Sequence, residues 1–309
     1  MRSAHNITTH DAGFKSGYVS LIGKPNVGKS TLLNRLVREK LAAMSRRPQT
    51  TRNRITGVCH LEGGQIILMD TPGIHQGARK LNEEMVKTSL STCGDVDLIL
   101  FMVDARQGFG EDDAFVLESL KQSRTPKILV INKIDLIPKA RILELTSEIN
   151  ARGTFVETVP ISALKEDGLD LLERVILKRL PEGPRYFPED MVTDAPEEFL
   201  IMEIIREKVF KLTAMEIPYS VAVVVDGLRE GKRGMLVIDA TIFVEKASQK
   251  KIVIGGGGKL LKKIGTWSRE EIERRFGNKV FLNLYVKVKE RWRDNVRDLK
   301  EFGYKHGFH

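Results

Sequence analysis

The sequence predicts two domains in series: an α/β domain with a mostly parallel sheet built around a phosphate-binding loop, then a smaller α+β domain organised around a glycine-rich loop. Three observations carry this. Gly23 to Thr31 reads GKPNVGKST and satisfies Gly-x-x-x-x-Gly-Lys-[Ser/Thr] between an apolar run and a stretch of helical spacing. Three further apolar runs, Ile66–Met69, Lys127–Ile131 and Val159–Ile161, each end in a polar segment, as strands do when their C-terminal ends line a site. Four prolines fall between Pro181 and Pro196, after which the pattern changes and Gly255 to Gly258 supply four consecutive glycines.

In chain order, Tyr18-Val-Ser-Leu-Ile22 suits a buried parallel strand and Thr31-Leu-Leu-Asn-Arg-Leu-Val37 an amphipathic helix. The loop between them must turn backbone N–H groups inward at phosphate oxygens, with a helix starting directly behind. Gly23 and Gly28 permit that backbone, Lys29 is expected to reach the β- and γ-phosphates, and the Ser30 hydroxyl to join a Mg²⁺ shell. Ile66–Met69 runs into Asp70-Thr71-Pro72-Gly73, placing a carboxylate where it can hold Mg²⁺ through water and a glycine N–H near the γ-phosphate. Lys127–Ile131 runs into Asn132-Lys133-Ile134-Asp135, whose carboxylate can accept hydrogen bonds from the N1–H and exocyclic amine of guanine, a donor pair adenine lacks. Val159–Ile161 leads to Ser162-Ala163-Leu164, a source of a backbone N–H for the guanine carbonyl oxygen. The expected GTP/GDP contacts are therefore Gly23, Lys24, Pro25, Asn26, Val27, Gly28, Lys29, Ser30, Thr31, Asp70, Thr71, Pro72, Gly73, Ile74, Asn132, Lys133, Asp135, Ser162 and Ala163.

These four boxes in this order resemble the Ras-like GTPase superfamily, with a loop spelling similar to its translation-factor-related branch. The resemblance implies a doubly wound sheet and a switch threonine that completes the Mg²⁺ shell. Here Pro48-Gln-Thr-Thr-Arg-Asn-Arg54 lies in the expected place, so Thr50 or Thr51 is the ligand, with Thr51 favoured. The expected Mg²⁺ set is Ser30, Thr51 and Asp70, and the catalytic group Lys29, Thr51, Asp70 and Gly73. Where Ras has a glutamine after Asp-x-x-Gly, this chain has Ile74, which can neither donate nor accept a hydrogen bond, so slow intrinsic hydrolysis is expected. Asn26 corresponds to an asparagine that helps hold potassium in related GTPases, which makes K⁺ stimulation a further expectation. No arginine finger is assignable: Arg46, Arg47, Arg52 and Arg54 crowd the switch and suit either RNA or solvent.

Composition sets the frame. The 309 residues are 41% hydrophobic and 29% charged, ordinary usage for globular domains. The two cysteines, Cys59 and Cys93, have neither metal-ligand spacing nor a disulfide framework and read as inert thiols in a reducing cytoplasm. No apolar run approaches a membrane span, which leaves peripheral membrane contact open. A net charge of +9 favours an acidic partner, nucleic acid foremost.

The domains expected are a tail at 1–14, the nucleotide-binding domain at 15–181, a stiff proline-rich linker at 182–197, and a second domain at 198–309. In the second, Glu197 to Met215 has helical spacing, and Ser220–Val225 and Met235–Val244 read as paired strands. Gly258 opens a helix, Ser268 to Phe276 forms another, Lys279 to Lys289 is a strand, and Trp292 lies in a final helix. Lys259, Lys262 and Lys263 share one helix face beside the glycines. From Lys246 to Arg293 there are 14 basic and 4 acidic side chains, a local excess of 10. This order resembles a KH RNA-binding domain of the bacterial topology (type II), whose Gly-x-x-Gly loop clamps a single-stranded backbone. The inner loop positions, usually basic in KH domains, are glycines here, so loop contacts would be backbone N–H groups. The expected RNA-binding residues are Lys250, Lys251, Ile254, Gly255, Gly256, Gly257, Gly258, Lys259, Lys262 and Lys263, with Ile252 and Leu261 in an apolar base groove. Trp267 and Trp292 are read as core residues in preference to base platforms.

The two halves together, with Ile217-Pro-Tyr-Ser220 and Gln249-Lys-Lys-Ile-Val-Ile254, resemble the Era family of bacterial ribosome-assembly GTPases over residues 15 to 303. That resemblance implies a cytoplasmic monomeric GTPase whose KH domain grips the 3′ end of small-subunit ribosomal RNA on the 30S subunit. The alternative is a GTPase signalling at the membrane or in the cell cycle, with nonspecific RNA affinity.

Overall fold

The structure is a computed structural model, and it describes residues 13–44, 51–74, 80–214 and 217–304. The chain separates into two compact units, one of residues 1–42, 54–76 and 85–194, the other of residues 43–53, 77–84 and 195–309. Thr50, Arg46, Arg47, Met215 and most of the expected tail lie outside the described residues.

In the first unit the chain alternates β1 (Lys15–Ile22), α1 (Lys29–Val37), β2 (Ile55–Leu61), β3 (Gly64–Asp70), α2 (Lys80–Thr92), β4 (Leu98–Asp104), α3 (Glu111–Ser119), β5 (Lys127–Asn132), α4 (Lys139–Asn150), β6 (Glu157–Ile161) and α5 (Leu169–Arg179); the first turns of α2 fall in the second unit. Among the described residues the sheet order is β2-β3-β1-β4-β5-β6, with β2 antiparallel to β3 and every other neighbouring pair parallel. β4 is buried along its whole length, as a central parallel strand covered by helices on both faces must be. One core face is built from Ile22, Phe101, Val103, Leu129 and Ile131 of the strands against Leu117 of α3 and Leu145 and Ile149 of α4. The strand order reverses at β1, and the loop after β1 opens onto that crevice, where open α/β sheets bind ligands.

Residues 182–194, expected within a stiff linker, are fastened to this unit. The buried Gln65 side chain accepts from the Tyr186 and Phe187 amides at 3.0 and 3.1 Å and donates to Phe187 O at 2.8 Å. Val58 N donates to Val192 O at 2.8 Å, and the Tyr186 ring sits 5.5 Å from that of Tyr18. Prolines signalled an extended strap; the partner that fixes it, Gln65, is over 120 residues away and left no local signal. Phe14, placed in the tail by the sequence, is buried with the Arg185 guanidinium 4.9 Å from its ring centroid. Both cysteines are buried thiols, pushed up by desolvation to about 12 (Cys59) and about 11 (Cys93), so neither forms a thiolate readily.

The second unit contains α6 (Glu197–Leu212), β7 (Ala222–Glu230), β8 (Leu236–Val244), α7 (Ala247–Ile254), α8 (Lys259–Phe276), β9 (Val280–Val288) and α9 (Val296–Glu301). β8 is central, antiparallel to β7 and parallel to β9. The two helices expected from Gly258 to Phe276 are one, because Gly265 sits inside α8, where a Cβ would meet only the Leu284 side chain at an ordinary contact distance of 3.5 Å. Continuity places Trp267 on the outer face, 40% exposed with the Lys263 ammonium 4.7 Å from its ring centroid, so it is not a core residue. Trp292 is core: fully buried in a short 3₁₀ turn, it donates from Nε1 to Ser220 O at 3.0 Å. No helix among the described residues is long and apolar enough to cross a membrane.

Candidate functional site

The loop after β1 is held by its surroundings on every side. Gly28 caps α1 at φ 108°, and a Cβ there would lie 2.2 Å from Asn132 Nδ2; one on Gly23 would lie 2.6 Å from Met102 O. Asn26 also has positive φ, at 65°. The box after β5 props the loop: Asn132 Nδ2 donates to Val27 O at 2.8 Å and Lys133 Nζ to Asn26 O at 2.7 Å. Lys133 Nζ is steadied in turn by Asp104 Oδ2 at 2.5 Å. Two of the sequence motifs are thus one mechanical piece.

Lys29, at the first turn of α1, is buried and donates to Gly23 O at 2.9 Å and Lys24 O at 3.2 Å. Desolvation lowers its pKa to about 8, with Asp70 opposing the shift. Ser30 Oγ donates to Asp70 Oδ2 at 2.6 Å, bringing together two oxygen donors suited to a hard cation. Thr71 Oγ1 donates to Leu21 O, and a Cβ on Gly73 would meet Pro25 at 2.7 Å, so the box after β3 lies against the loop. Ile74 donates its amide to Gly23 O at 3.2 Å while its side chain is buried in the core with Ile22 and Phe101, far from any role toward water. Thr51 is buried and belongs to the second unit, Thr31 follows Ser30 on α1, and Pro72 O accepts from Ser89 Oγ at 2.8 Å.

At the far end of the crevice, Asp135 is exposed and accepts from Ser162 Oγ at 2.6 Å, while Ala163 N donates to Asn132 Oδ1 at 3.0 Å. The Asp135 carboxylate is thereby oriented with accepting capacity to spare.

In the second unit, α7 ends at Gly255, whose φ 72° and ψ 169° suit only glycine, and α8 starts behind Gly258 at φ 77°. Lys251, Lys259, Lys262 and Lys263 are exposed and Lys250 is half-buried, all around this loop; Gly256 and Gly257 complete it, and Ile254 is half-buried before it. Beside them a groove of about 500 Å³ runs between α8 and β9, lined by Gly258, Leu261, Gly265, Leu282 and Leu284, with Lys262 and Arg269 at its rim. Leu261 lines this groove. Ile252, 49% exposed, is not among its lining residues.

Residues 18–133 match the family described as 50S ribosome-binding GTPase, and residues 216–293 match the KH domain. GTPase Era of Geobacter sp. (strain M21) is 52% identical over 94% of this chain and 98% of its own length. GTPase Era of Geobacter metallireducens is 51% identical over 95% of this chain and 99% of its own. The chain belongs to the Era family of GTPases.

Solved Era structures agree over the same span. Era in complex with MgGDPNP and nucleotides 1506–1542 of 16S ribosomal RNA has a TM-score of 0.92 at 43% identity, covering 94% of this chain and 99% of that one. A point variant of Aquifex aeolicus Era bound to GDP and AlF4⁻ gives 0.91, also at 43% identity and with the same coverage. As an Era-family chain this protein is a GTPase, a P-loop α/β domain followed by a KH domain.

Three functional contacts in this Era-family chain had no sequence signal. Asp113 on α3, fully buried, holds the loop residue Lys24 at 2.7 Å, so that ammonium is committed to the scaffold. Asp104 holds Lys133. Arg52, read from sequence as facing RNA or solvent, is 2% exposed, whereas Arg54 is exposed.

Proposed function

We propose that this Era-family GTPase binds GTP with Mg²⁺ in the crevice at the end of β1, hydrolyses it slowly, and uses its KH unit to hold the single-stranded 3′ end of small-subunit ribosomal RNA during 30S assembly in the cytoplasm. The observation that carries the first part is the joined loop: glycine positions with no space for a side chain, a buried Lys29 ammonium behind them and an Asp135 carboxylate oriented by Ser162 support binding of a phosphate chain and a guanine.

Loop amides from Asn26 to Thr31 bind the α- and β-phosphates, and Lys29 exchanges its carbonyl partners Gly23 and Lys24 for β- and γ-phosphate oxygens. The Ser30–Asp70 pair is an all-oxygen donor set that fits Mg²⁺, which these residues and Thr51 would hold; the ion would supply neutralisation of phosphate charge. The Gly73 amide senses the γ-phosphate. Because Ile74 faces the core, catalysis rests on positioning and electrostatics, with K⁺ near Asn26 as the added cation. Equal rates in matched sodium and potassium salts would remove K⁺ from this account.

For RNA, the support is the combination of an open glycine loop, surrounding lysines and an adjacent apolar groove, together with the solved Era complex that contains 16S ribosomal RNA nucleotides. The test is binding of a short labelled RNA ending in the anti-Shine–Dalgarno sequence, at fixed salt, with GDPNP and with GDP, against a scrambled RNA. Tighter, sequence-selective binding with GDPNP is expected. Equal binding in all arms would leave a GTPase with a nonspecific basic unit.

A further inference from the structure

Arg52 directly follows Thr51 in the switch segment, and residues 43–53 are part of the second compact unit. Its guanidinium is buried in a socket of that unit. Nη1 donates to Val221 O at 2.6 Å and to Tyr304 Oη at 3.4 Å; Nη2 donates to Pro218 O and Tyr219 O, both at 3.1 Å. The rings of Phe210, Trp292 and Tyr304 surround it, each 5.7 Å from the guanidinium carbon. At the other end of the segment, Met44 N donates to Glu207 Oε1 on α6 at 3.3 Å.

The chemistry of this socket is unusual for a purely structural residue. Among the described residues no carboxylate pairs with Arg52, and its buried Nε has no partner. The neighbouring arginines are each neutralised, Arg206 by Glu203 and Arg293 by Glu245. A buried cation held by carbonyl oxygens, one phenol hydroxyl and aromatic faces bears a desolvation cost that an apolar side chain of similar size would avoid. A switch-segment side chain is the wrong choice for core stability there, and a suitable one for a contact that forms and breaks.

We infer that Arg52 is a positioning residue: seated in the Pro218–Val221 and Trp292–Tyr304 socket, it sets the position of Thr51, so that γ-phosphate sensing and the seating of Arg52 are one event. The inference rests on the proposed role of Thr51 as Mg²⁺ ligand. Linkage makes it reciprocal, since whatever alters the socket must alter the preference for GDPNP over GDP by the same factor that nucleotide alters the socket.

Trp292 supplies the readout. The chain has two tryptophans, so in a Trp267→Phe background the emission reports on the socket wall. Exchanging GDP for GDPNP with Mg²⁺ in the full-length protein is expected to shift that emission. Arg52→Met, which keeps the apolar stem and removes the guanidinium, is expected to abolish the shift and change the GDPNP-to-GDP affinity ratio by about fivefold or more. Arg52→Lys keeps the charge with a single donating nitrogen and is expected to fall between. Thermal midpoints with GDP bound check that each variant folds; if Arg52→Met does not, Arg52→Lys carries the test. A nucleotide-dependent shift that survives in both variants overturns the inference, as does a wild-type emission that ignores the nucleotide while Thr51→Ala still weakens GDPNP. If Thr51→Ala leaves GDPNP affinity and its Mg²⁺ dependence unchanged, the Mg²⁺ assignment itself fails and the inference with it.

Discussion

Both units present a glycine-rich loop at the head of a helix, and the two loops are built on opposite terms. In the first unit, glycine is required because there is no space: a Cβ on Gly28, Gly23 or Gly73 would collide with Asn132, Met102 or Pro25. In the second, a Cβ on Gly256, Gly257 or Gly258 would meet nothing within 4 Å, and only Gly255 is closed in, by Leu260. A closed cradle fits one phosphate chain in one pose. An open one lets a flexible nucleic-acid backbone approach, with affinity drawn from surrounding charge and an apolar groove.

The contrast is broken most decisively at Gly28. Gly28→Ala puts an L-residue at φ 108° and displaces the Asn132 prop, so GTP affinity is expected to fall by on the order of 100-fold or more, since backbone strain of about 1–3 kcal/mol adds to lost hydrogen bonds. Equilibrium binding of a fluorescent GTP analogue checks it, and an affinity within threefold of wild type would show the loop to be adaptable.

Next in size is Asp135→Ala. In the proposed pose it removes two hydrogen bonds to a charged acceptor, worth about 1.5–3 kcal/mol each, and should weaken GTP by roughly 100-fold or more while ATP binding does not change. Competition between the two nucleotides measures this, and a variant that still discriminates would move guanine recognition elsewhere.

Proton uptake sharpens the same comparison, because a tight cradle desolvates Lys29. Its pKa of about 8 rises when phosphates replace carbonyl partners, so the bound form holds more protons above pH 8. GTP affinity should therefore be constant below about pH 7 and decline as pH rises through 8 and beyond. Calorimetry in buffers of different ionisation enthalpy should record uptake near pH 8 that disappears in Lys29→Met. Without nucleotide the linkage to folding has the same origin: the folded state holds fewer protons than the unfolded between pH 8 and the ordinary lysine value, so this site's cost to stability is greatest below pH 8.

The smallest effect separates positions within the open loop. Gly255→Ala should destabilise the second unit by about 1–3 kcal/mol, whereas Gly256→Ala should leave both the thermal midpoint and RNA affinity within about twofold of wild type. A severe loss on Gly256→Ala would show that RNA backbone passes within a methyl radius of that Cα.

The sequence by itself determined the GTPase domain, the KH domain and the family, and supplied the candidate nucleotide-binding boxes, because each depends on residue types at short fixed spacings. GKPNVGKST, Asn132 to Asp135 and Gly255 to Gly258 are each one short continuous stretch of chain. Tertiary structure alone decided what happens to side chains whose partners are distant in the chain. Asp113 holds Lys24, Gln65 fastens the strap at Tyr186 and Phe187, α8 runs through Gly265 and turns Trp267 outward, and Arg52 enters a socket whose walls lie more than 150 residues away. Local spacing carries no record of such contacts. The free energy that fixes them, desolvation of a charge against the geometry of its partners, exists only once the chain has closed around them.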